Sequence, residues 1–492
     1  MIKSIFFSFL CRSMEISFVS LKLKRYSTEK PCGQGDLFLS TFIENPDKTI
    51  LTSEDMLKDY FAKHAKCGTC IFVGMEAELL GVNQGTGQAL PYFGPQGIET
   101  ILKAMAAKFN YTPLLEEGRI IALRRADAMV TLEPGGQIEL SAPPADNVFQ
   151  VEAQVQNFLG ELRQMRTLFD GIEWLACGIQ PYSLPHEMEQ VPKVRYAIMA
   201  EHFKTHGTLS HEMMKLTATN QVNFDYLDEA DAMESLRVAF GITSIVTAMF
   251  ANSAFSGGGP NGFASRRLEI WNHTDADRSG LLMPFLEAGR TFQDYLNYVL
   301  DMPMLFIVRE GRWIPLKNRS FRSFIKTGFE GFKATLEDFE MHLSAAFPEV
   351  RLKQYLEVRG VDGQKPALIP AVAAFWKGLL YQKEAKREAW KLVEFATLDE
   401  RQALHRDVAR LGLKAKLGTK PIVDLARELV DLSCSSLASQ TTAEESRSEC
   451  VFLNRIREEI IIPGKSPAEQ FVDWFDETRP ERPADILEYF KI

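Results

Sequence analysis

Acidic residues recur at two-residue intervals in several short stretches of this chain, each time opposite an apolar set. In Gly74-Met75-Glu76-Ala77-Glu78-Leu79, the residues Gly74, Glu76 and Glu78 alternate with Met75, Ala77 and Leu79, the period of a strand with one apolar face. Residues 130–133 and 137–141 repeat the split, with Thr131, Glu133, Gln137, Glu139 and Ser141 opposite Val130, Leu132, Ile138 and Leu140. Residues 219–226 set Thr219, Gln221, Asn223 and Asp225 against Val222, Phe224 and Tyr226. Residues 355–359 set Tyr355, Glu357 and Arg359 against Leu356 and Val358.

A sheet with one polar face is usually antiparallel, because parallel sheets bury both faces. Solvated sheet faces normally carry Lys and Thr, whereas this one carries Glu, Gln, Asn and Asp together with Arg359. Carboxylates on strands about 4.8 Å apart repel one another at neutral pH unless cations offset them. A merely solvated face accounts for any one of these stretches but poorly for five of the same polarity, so the pattern points to a concave sheet that holds divalent metal. Glu76 and Glu78, two apart and so roughly 6.6 Å from each other, can serve separate ions or two sides of one cluster. Oxygen donors without His or Cys favour Mg²⁺ or Mn²⁺ over Zn²⁺. Mg²⁺ keeps waters and takes substrate phosphates into its shell, which implies a nucleoside triphosphate.

No Walker, kinase or Rossmann pattern accompanies that face, and Gly257-Gly258-Gly259-Pro260-Asn261-Gly262 lacks the Lys-Ser/Thr ending of a phosphate loop. Arginines must therefore meet the phosphates: Arg266, Arg267 and Arg278 around Trp271 and Asp275, with Lys193 and Arg195 after a Pro-rich loop. Most such residues are solvated charges, but Arg359 shares a strand face with Glu357. No Gly-x-Ser-x-Gly elbow and no HExxH cluster occurs. Cys67 and Cys70 have Cys-x-x-Cys spacing without a second pair, and read as inert thiols.

The elements that position these residues are helices alternating with strands. Residues 97–109 and 151–168 carry apolar stripes at helical spacing, and the breaks at Pro143-Pro144, 181–192, 257–260, 433–449 and 463–467 read as surface loops. The 492 residues, 46% hydrophobic with 56 Lys and Arg against 65 Asp and Glu, form an ordinary globular composition of net charge -9. That balance argues against phosphate-neutralising nucleic-acid binding, and no apolar run of about 18 residues suggests a membrane span. Seven cysteines make no disulfide scaffold and fit a reducing, cytoplasmic setting. The first 35 residues read as a disordered or weakly targeting-like extension, with Met14 an alternative start.

At these residues the sequence resembles a known family. Gly74-Met75-Glu76-Ala77-Glu78, the run Leu132-Glu133-Pro134-Gly135-Gly136-Gln137, Gln221-Val222-Asn223-Phe224-Asp225, Ile270 to Asp275 with Arg278 and Gly280, and Tyr355-Leu356-Glu357-Val358-Arg359-Gly360 resemble, in order, the plant and proteobacterial type of glutamate–cysteine ligase. The resemblance implies an α+β, glutamine-synthetase-like fold: a curved, mainly antiparallel sheet of about six strands with helices on its outer face. Residues 36–492 would form one catalytic domain with a helical C-terminal part.

The implied reaction joins the γ-carboxyl of L-glutamate to the amine of L-cysteine at the expense of ATP, through a γ-glutamyl phosphate. A ligase for another amine, or an inactive homologue, is the alternative. In the family, acids matching Glu76, Glu78, Glu139 and Glu357 hold Mg²⁺, with Glu133 a further member, and an arginine matching Arg359 serves the transferred phosphate. The resemblance thus makes Arg359 and Glu357 catalytic, Arg359 and Lys353 ATP-binding, and Gln221, Asn223, Arg195, Arg267 and Arg278 substrate-binding. Glutamate, cysteine and ATP are the expected partners of a monomer or homodimer, without nucleic acid or membrane. The family's first motif reads Gly-x-Glu-His-Glu-Lys-Phe-Gly; here Ala77, Leu79 and Leu80 depart from it, and Ala77 and Leu79 fall on the apolar face.

Overall fold

The computed structural model describes residues 47–68, 71–441 and 447–492. The N-terminal extension, and Cys70 of the Cys67/Cys70 pair, lie outside the described residues. Among those described, nine strands form the principal sheet: β1 (Val73–Asn83), β2 (Thr112–Glu116), β3 (Arg119–Arg125), β4 (Ala128–Leu132), β5 (Ile138–Ser141), β6 (Ile172–Leu175), β7 (Asn220–Phe224), β8 (Val350–Leu352) and β9 (Leu356–Val358). Their order is β8-β9-β7-β1-β5-β4-β3-β2, with β6 also on β1, and every pairing is antiparallel. The resemblance implies about six strands and the sheet has nine; period two in the sequence does not mark β2, β3 or β6, since β3 for one runs Ile120-Ile121-Ala122-Leu123 without a break.

Alternation governs which face is buried. Met75, Ala77, Leu79, Val130, Leu132, Ile138, Leu140, Val222, Phe224, Leu356 and Val358 are all at most 3% exposed and belong to one continuous core. That core is completed by helices on the convex side: α1 (Ile98–Phe109), α2 (Val148–Leu168), α5 (Glu229–Met249) and α7 (Ile369–Leu380). The residues preceding α2 and α5, Asn147 and Asp228, accept the amides of Gln150 and Asp231, satisfying donors that a helix start leaves open. By length and composition α5 could cross a membrane, but 89% of its apolar window is buried, so it is a core helix.

Three shorter helices stand over the concave face: α3 (Val194–His202), α4 (Ser210–Leu216) and α6 (Arg266–Asn272). Beyond Glu78 the same face of β1 turns apolar. Leu80 and Val82 enter a second core with Phe471 and Phe490, from α10 (Pro467–Thr478) and α11 (Pro483–Phe490). The polar face is therefore closed at that end by the C-terminal helices.

Two expectations fail here. Residues 433–449 read as a loop, yet α9 (Ile422–Gln440), which follows α8 (Leu398–Leu411), continues through Ser433-Cys434-Ser435-Ser436. Leu425, Leu429, Val430 and Leu437 keep helical spacing and pack α9 on α7. Gly378 permits the approach, since a Cβ there would lie 2.3 Å from the Ser433 hydroxyl. Second, the cysteines are not all free: Cys434 and Cys450 form a disulfide across a sequence separation of 16. The neighbouring Glu449 accepts the Val148 amide at the start of α2 and pairs with Lys377 of α7 at 2.7 Å, so the closed segment ties two core helices.

Closing a loop of that length stabilises by about 3 kcal/mol. Cys434→Ser with Cys450→Ser should lose roughly that much in urea unfolding while the folded variant keeps its turnover; an unchanged midpoint would show that the bond does not form.

Candidate active site

Four carboxylates project from neighbouring strands into one cavity. Glu76 and Glu78 sit on β1, Glu139 on β5 directly opposite Glu78, and Glu133 just past β4. Three of them are aimed by a hydrogen-bond donor from a neighbouring residue. Asn223 Nδ2 donates to Glu76 at 3.1 Å, the Thr219 amide to Glu78 at 3.0 Å and the Thr131 hydroxyl to Glu139 at 2.6 Å. The Glu133 amide donates to Gln137 O and Gly136 N–H to Glu133 O, a turn that needs the positive φ of Gly136.

Burial first, then neighbouring negative charge, pushes Glu76, Glu78 and Glu139 up. Glu78 and Glu139 stand well above the usual carboxylate range, Glu78 through burial and Glu133, and Glu139 through burial, Glu76, Glu133 and Glu78. Glu76 is raised by burial and Glu357. Each ionised pair about 4 Å apart would cost about 4 kcal/mol at an effective dielectric of 20, so the face calls for cations.

Glu357 behaves oppositely. Burial alone would raise it, but Arg351, Lys353 and Arg359 outweigh burial and hold it far below the usual range. Arg351, its cross-strand neighbour on β8, takes both carboxylate oxygens, at 2.5 Å through Nε and 3.0 Å through Nη2; Arg359 Nη1 adds 3.1 Å. Arg359 also donates to Gln221 Oε1, and its main-chain oxygen accepts from Arg267 Nη2 at 3.0 Å. Lys353 is buried beside them and pulled down to about 8 by burial, with Arg351 adding to the effect.

The helices over the face complete the cavity with a cation and a soft apolar wall. Arg267, on α6, lies 5.7 Å from the Trp271 ring one turn on. Its helix start is fixed by a buried knot: Asp362 accepts from the hydroxyls of Ser253 (2.7 Å) and Ser265 (2.9 Å), and Ser253 accepts the Arg267 amide. Met199 and Tyr196 of α3, Met213 and Met214 of α4, and Phe347 form the wall.

Of the residues singled out from sequence, Glu76, Glu78, Glu133, Glu139, Arg195, Gln221, Arg267 and Arg359 line this cavity. Glu357, Asn223 and Lys353 stand at its edge on the same sheet face. Arg278 does not reach it. It is fully buried with Nε on Asp275 at 2.6 Å, Nη1 on Ala345 O and Nη2 on Pro303 O, while His202 holds Asp275 from the other side at 2.7 Å. Arg278 is a structural tie and not a substrate contact.

The sequence placed Thr219 on the polar face and Trp271 among the arginines without giving either a site role, and gave none to Arg351 or the three methionines. Arg351 was readable, because a hairpin turning at Lys353-Gln354-Tyr355 sets it opposite Glu357; the methionines carry no signal that separates a cavity wall from core.

The expected gathering of five acids around shared ions is not what the geometry shows. Among the described residues no three such ligands converge on one point, and Glu357 is committed to two arginines. The donors are nevertheless all carboxylate and amide oxygens. They suit an ion that takes one or two carboxylates and completes its shell with water and phosphate, as Mg²⁺ does.

This sheet and its acid-and-arginine face define a ligase fold. A glutamate–cysteine ligase from Francisella tularensis, solved in complex with AMP, superposes with a TM-score of 0.54 at 11% identity, over 85% of this chain and 87% of that one. Residues 72–485 match the model of glutamate–cysteine ligase family 2, and the chain belongs to that family. Among curated relatives, the chloroplastic glutamate–cysteine ligase of Medicago truncatula is 34% identical over 428 residues, 86% of this chain and 82% of the relative. Chloroplastic glutamate–cysteine ligase B of Oryza sativa subsp. japonica is 35% identical over 438 residues, 88% and 86% of the two chains. Further relatives from Nicotiana tabacum and Arabidopsis thaliana are also named chloroplastic. The expectation of a cytoplasmic protein is thereby overturned, since these relatives are all named chloroplastic.

Two outcomes test this geometry. Glu78→Gln removes one of the crowded acids, whose folded-state value is raised; a raised acid costs stability as pH climbs above its unfolded value near 4.5. The variant should gain thermal stability over the parent increasingly from pH 5 to pH 8 without metal, and should lose much of the Mg²⁺-induced rise in Tm. Arg278→Lys should cost about 3 kcal/mol in unfolding, as for a broken buried pair, with KM for glutamate within twofold. A normal melt with a raised KM would restore Arg278 to the substrate site.

Proposed function

We propose that the chain catalyses the ATP-dependent joining of the L-glutamate γ-carboxyl to the L-cysteine amine, giving γ-glutamylcysteine, ADP and phosphate, the first step of glutathione synthesis. The observation that carries this reading is a cavity lined both by acids that make no ion pair among the described residues and by Arg359, Arg267 and Arg195, in a chain of this family. The relatives' names supply the two amino acids, and the plastid as compartment.

The first step brings the γ-carboxylate of glutamate to the γ-phosphorus of ATP, an anion to an anion. Arg267, held by the Ser253–Asp362 knot, is placed to pair with the α-carboxylate and fix the amino acid, and Trp271 flanks it. Glu76, Glu78, Glu139 and Glu133 are the residues that would hold Mg²⁺, which when bound would polarise the phosphoryl oxygens. Arg359, steered by Glu357 and Gln221, faces the equatorial oxygens where charge spreads in the transition state. ADP leaves, and the carboxyl carbon is now an acyl phosphate. The cysteine amine attacks that carbon, loses a proton and expels phosphate. The Met199, Met213, Met214 and Phe347 wall suits a thiol side chain and keeps water from the acyl phosphate. No protein carboxylate acts as nucleophile.

Purified protein given glutamate, cysteine, ATP and Mg²⁺ should form γ-glutamylcysteine and phosphate in equal amounts; chelation should stop both, and equal phosphate release with unrelated amines would defeat the cysteine assignment. Arg359→Lys, which keeps charge but loses the planar fork, should lower kcat by roughly a hundred- to a thousandfold and change KM for glutamate much less. A variant with most of its rate would reduce Arg359 to a counter-ion for Glu357.

A further inference from the structure

The acids and the methionines of the cavity come from stretches far apart in the chain. Glu133 opens the turn over residues 133–137 that joins β4 to β5, whereas Met213 and Met214 belong to α4. Helix α4 has seven residues and no side-chain cap at its start, too short to hold its own place. Something must fix it against the acids.

One side chain reaches across. Gln137 is 2% exposed. Its Oε1 accepts the Gly135 amide at 2.9 Å, within the Glu133 turn, while its Nε2 donates to Thr217 O at 2.8 Å and to Met214 O at 3.4 Å, at the end of α4. Both N–H groups of the amide are thereby used, so Gln137 lines the cavity with no donor left for a substrate. Turn and helix also meet backbone to backbone, since a Cβ at Gly135 would lie 2.3 Å from Lys215 O. On its other flank α4 is gripped by the loop over residues 181–192, where Lys215 Nζ donates to Pro185 O at 3.0 Å and to Met188 O at 2.7 Å. That loop carries none of the four site acids, so registering the methionines against them falls to Gln137.

We infer that Gln137 is a positioning residue for amine selection: by tying the Glu133 turn to α4 it keeps Met213 and Met214 closed around a thiol side chain, so that cysteine is taken in preference to its hydroxyl analogue serine. Thioethers give a thiol polarisable contacts, but they leave a buried hydroxyl without a hydrogen-bond partner, which is costly. That discrimination lasts while the wall is closed, because water entering beside a displaced α4 would hydrate the hydroxyl. This inference rests on the ligase reading and its methionine wall, and extends them by naming what holds the wall in place.

The test is steady-state phosphate release by the full chain at saturating ATP, Mg²⁺ and glutamate, with cysteine or serine as the amine, for the parent, Gln137→Met and Met214→Ala. Gln137→Met fills the same space without the hydrogen bonds. It should lower the ratio of kcat/KM for cysteine to that for serine by about tenfold, the effect of one to two neutral hydrogen bonds, mainly through KM for cysteine. KM for glutamate, which depends on Arg267 of α6, should stay nearly unchanged. Met214→Ala should lower the ratio in the same direction. A merely structural Gln137 would depress both amines alike, and an unchanged ratio in the folded variant would overturn the inference. Gln137→Glu, which turns an oxygen toward the two carbonyls, repeats the comparison should the methionine variant fail to fold. A parent that releases phosphate with neither amine defeats the ligase reading and the inference together; an active parent whose ratio falls in Met214→Ala but not in the Gln137 variants defeats the Gln137 assignment alone.

Discussion

Like-charge crowding on the concave face of β1 and β5 is the constraint around which the rest of the protein is arranged. Glu78 and Glu139 stand directly opposite each other across a strand pair, with Glu76 and Glu133 beside them, and a sheet can hold such a row only if something else supplies the stability. That supply is the apolar half of the same alternation. Every second residue of these strands is sealed against α2 and α7, so the fold absorbs the repulsion on one face through the core on the other. Strain of this kind, kept at the place where chemistry occurs, is what a site built to receive cations and phosphates requires.

The acids are not equivalent, and the division between them organises the site. Glu357 is neutralised in advance by Arg351 and Arg359, which fixes the arginine fork in place before any substrate arrives. Glu76, Glu78 and Glu139 have polar donors from Asn223, Thr219 and Thr131 but no bonded cation among the described residues. One end of the face is therefore preset and the other is left to be completed by ligands.

Much of this was legible in residue order because period two is a strong signal when both halves of the pattern are extreme. Met75, Ala77 and Leu79 against Glu76 and Glu78 left one assignment, and the residues implied by family resemblance fell on the same face. What failed had physical reasons. Arg278 looked like its neighbour Arg267, since two arginines near one helix differ only in which finds a buried acid and two carbonyls. Strand β3 is apolar without alternation, and Ser433 of α9 packs on α7 at Gly378, a contact with no trace in local sequence. Arg351 lay one hairpin from Glu357; its role depended on register, which composition does not give.

Strand β1 also governs how the site comes into being. Its eleven residues pair with β5, β6 and β7, whose partner residues lie some 60 to 150 positions further along the chain, and β9 joins only through β7. No two of the site's strands are joined by a short turn to β1, so closing the site means closing several long loops, each with an entropic cost that must be met before its contacts reward it. The acids and arginines consequently meet late and together. During synthesis the chain carries its amino-terminal carboxylates for most of its length with no arginine partner from β8 or β9, and becomes competent only once residues near 359 have emerged and docked.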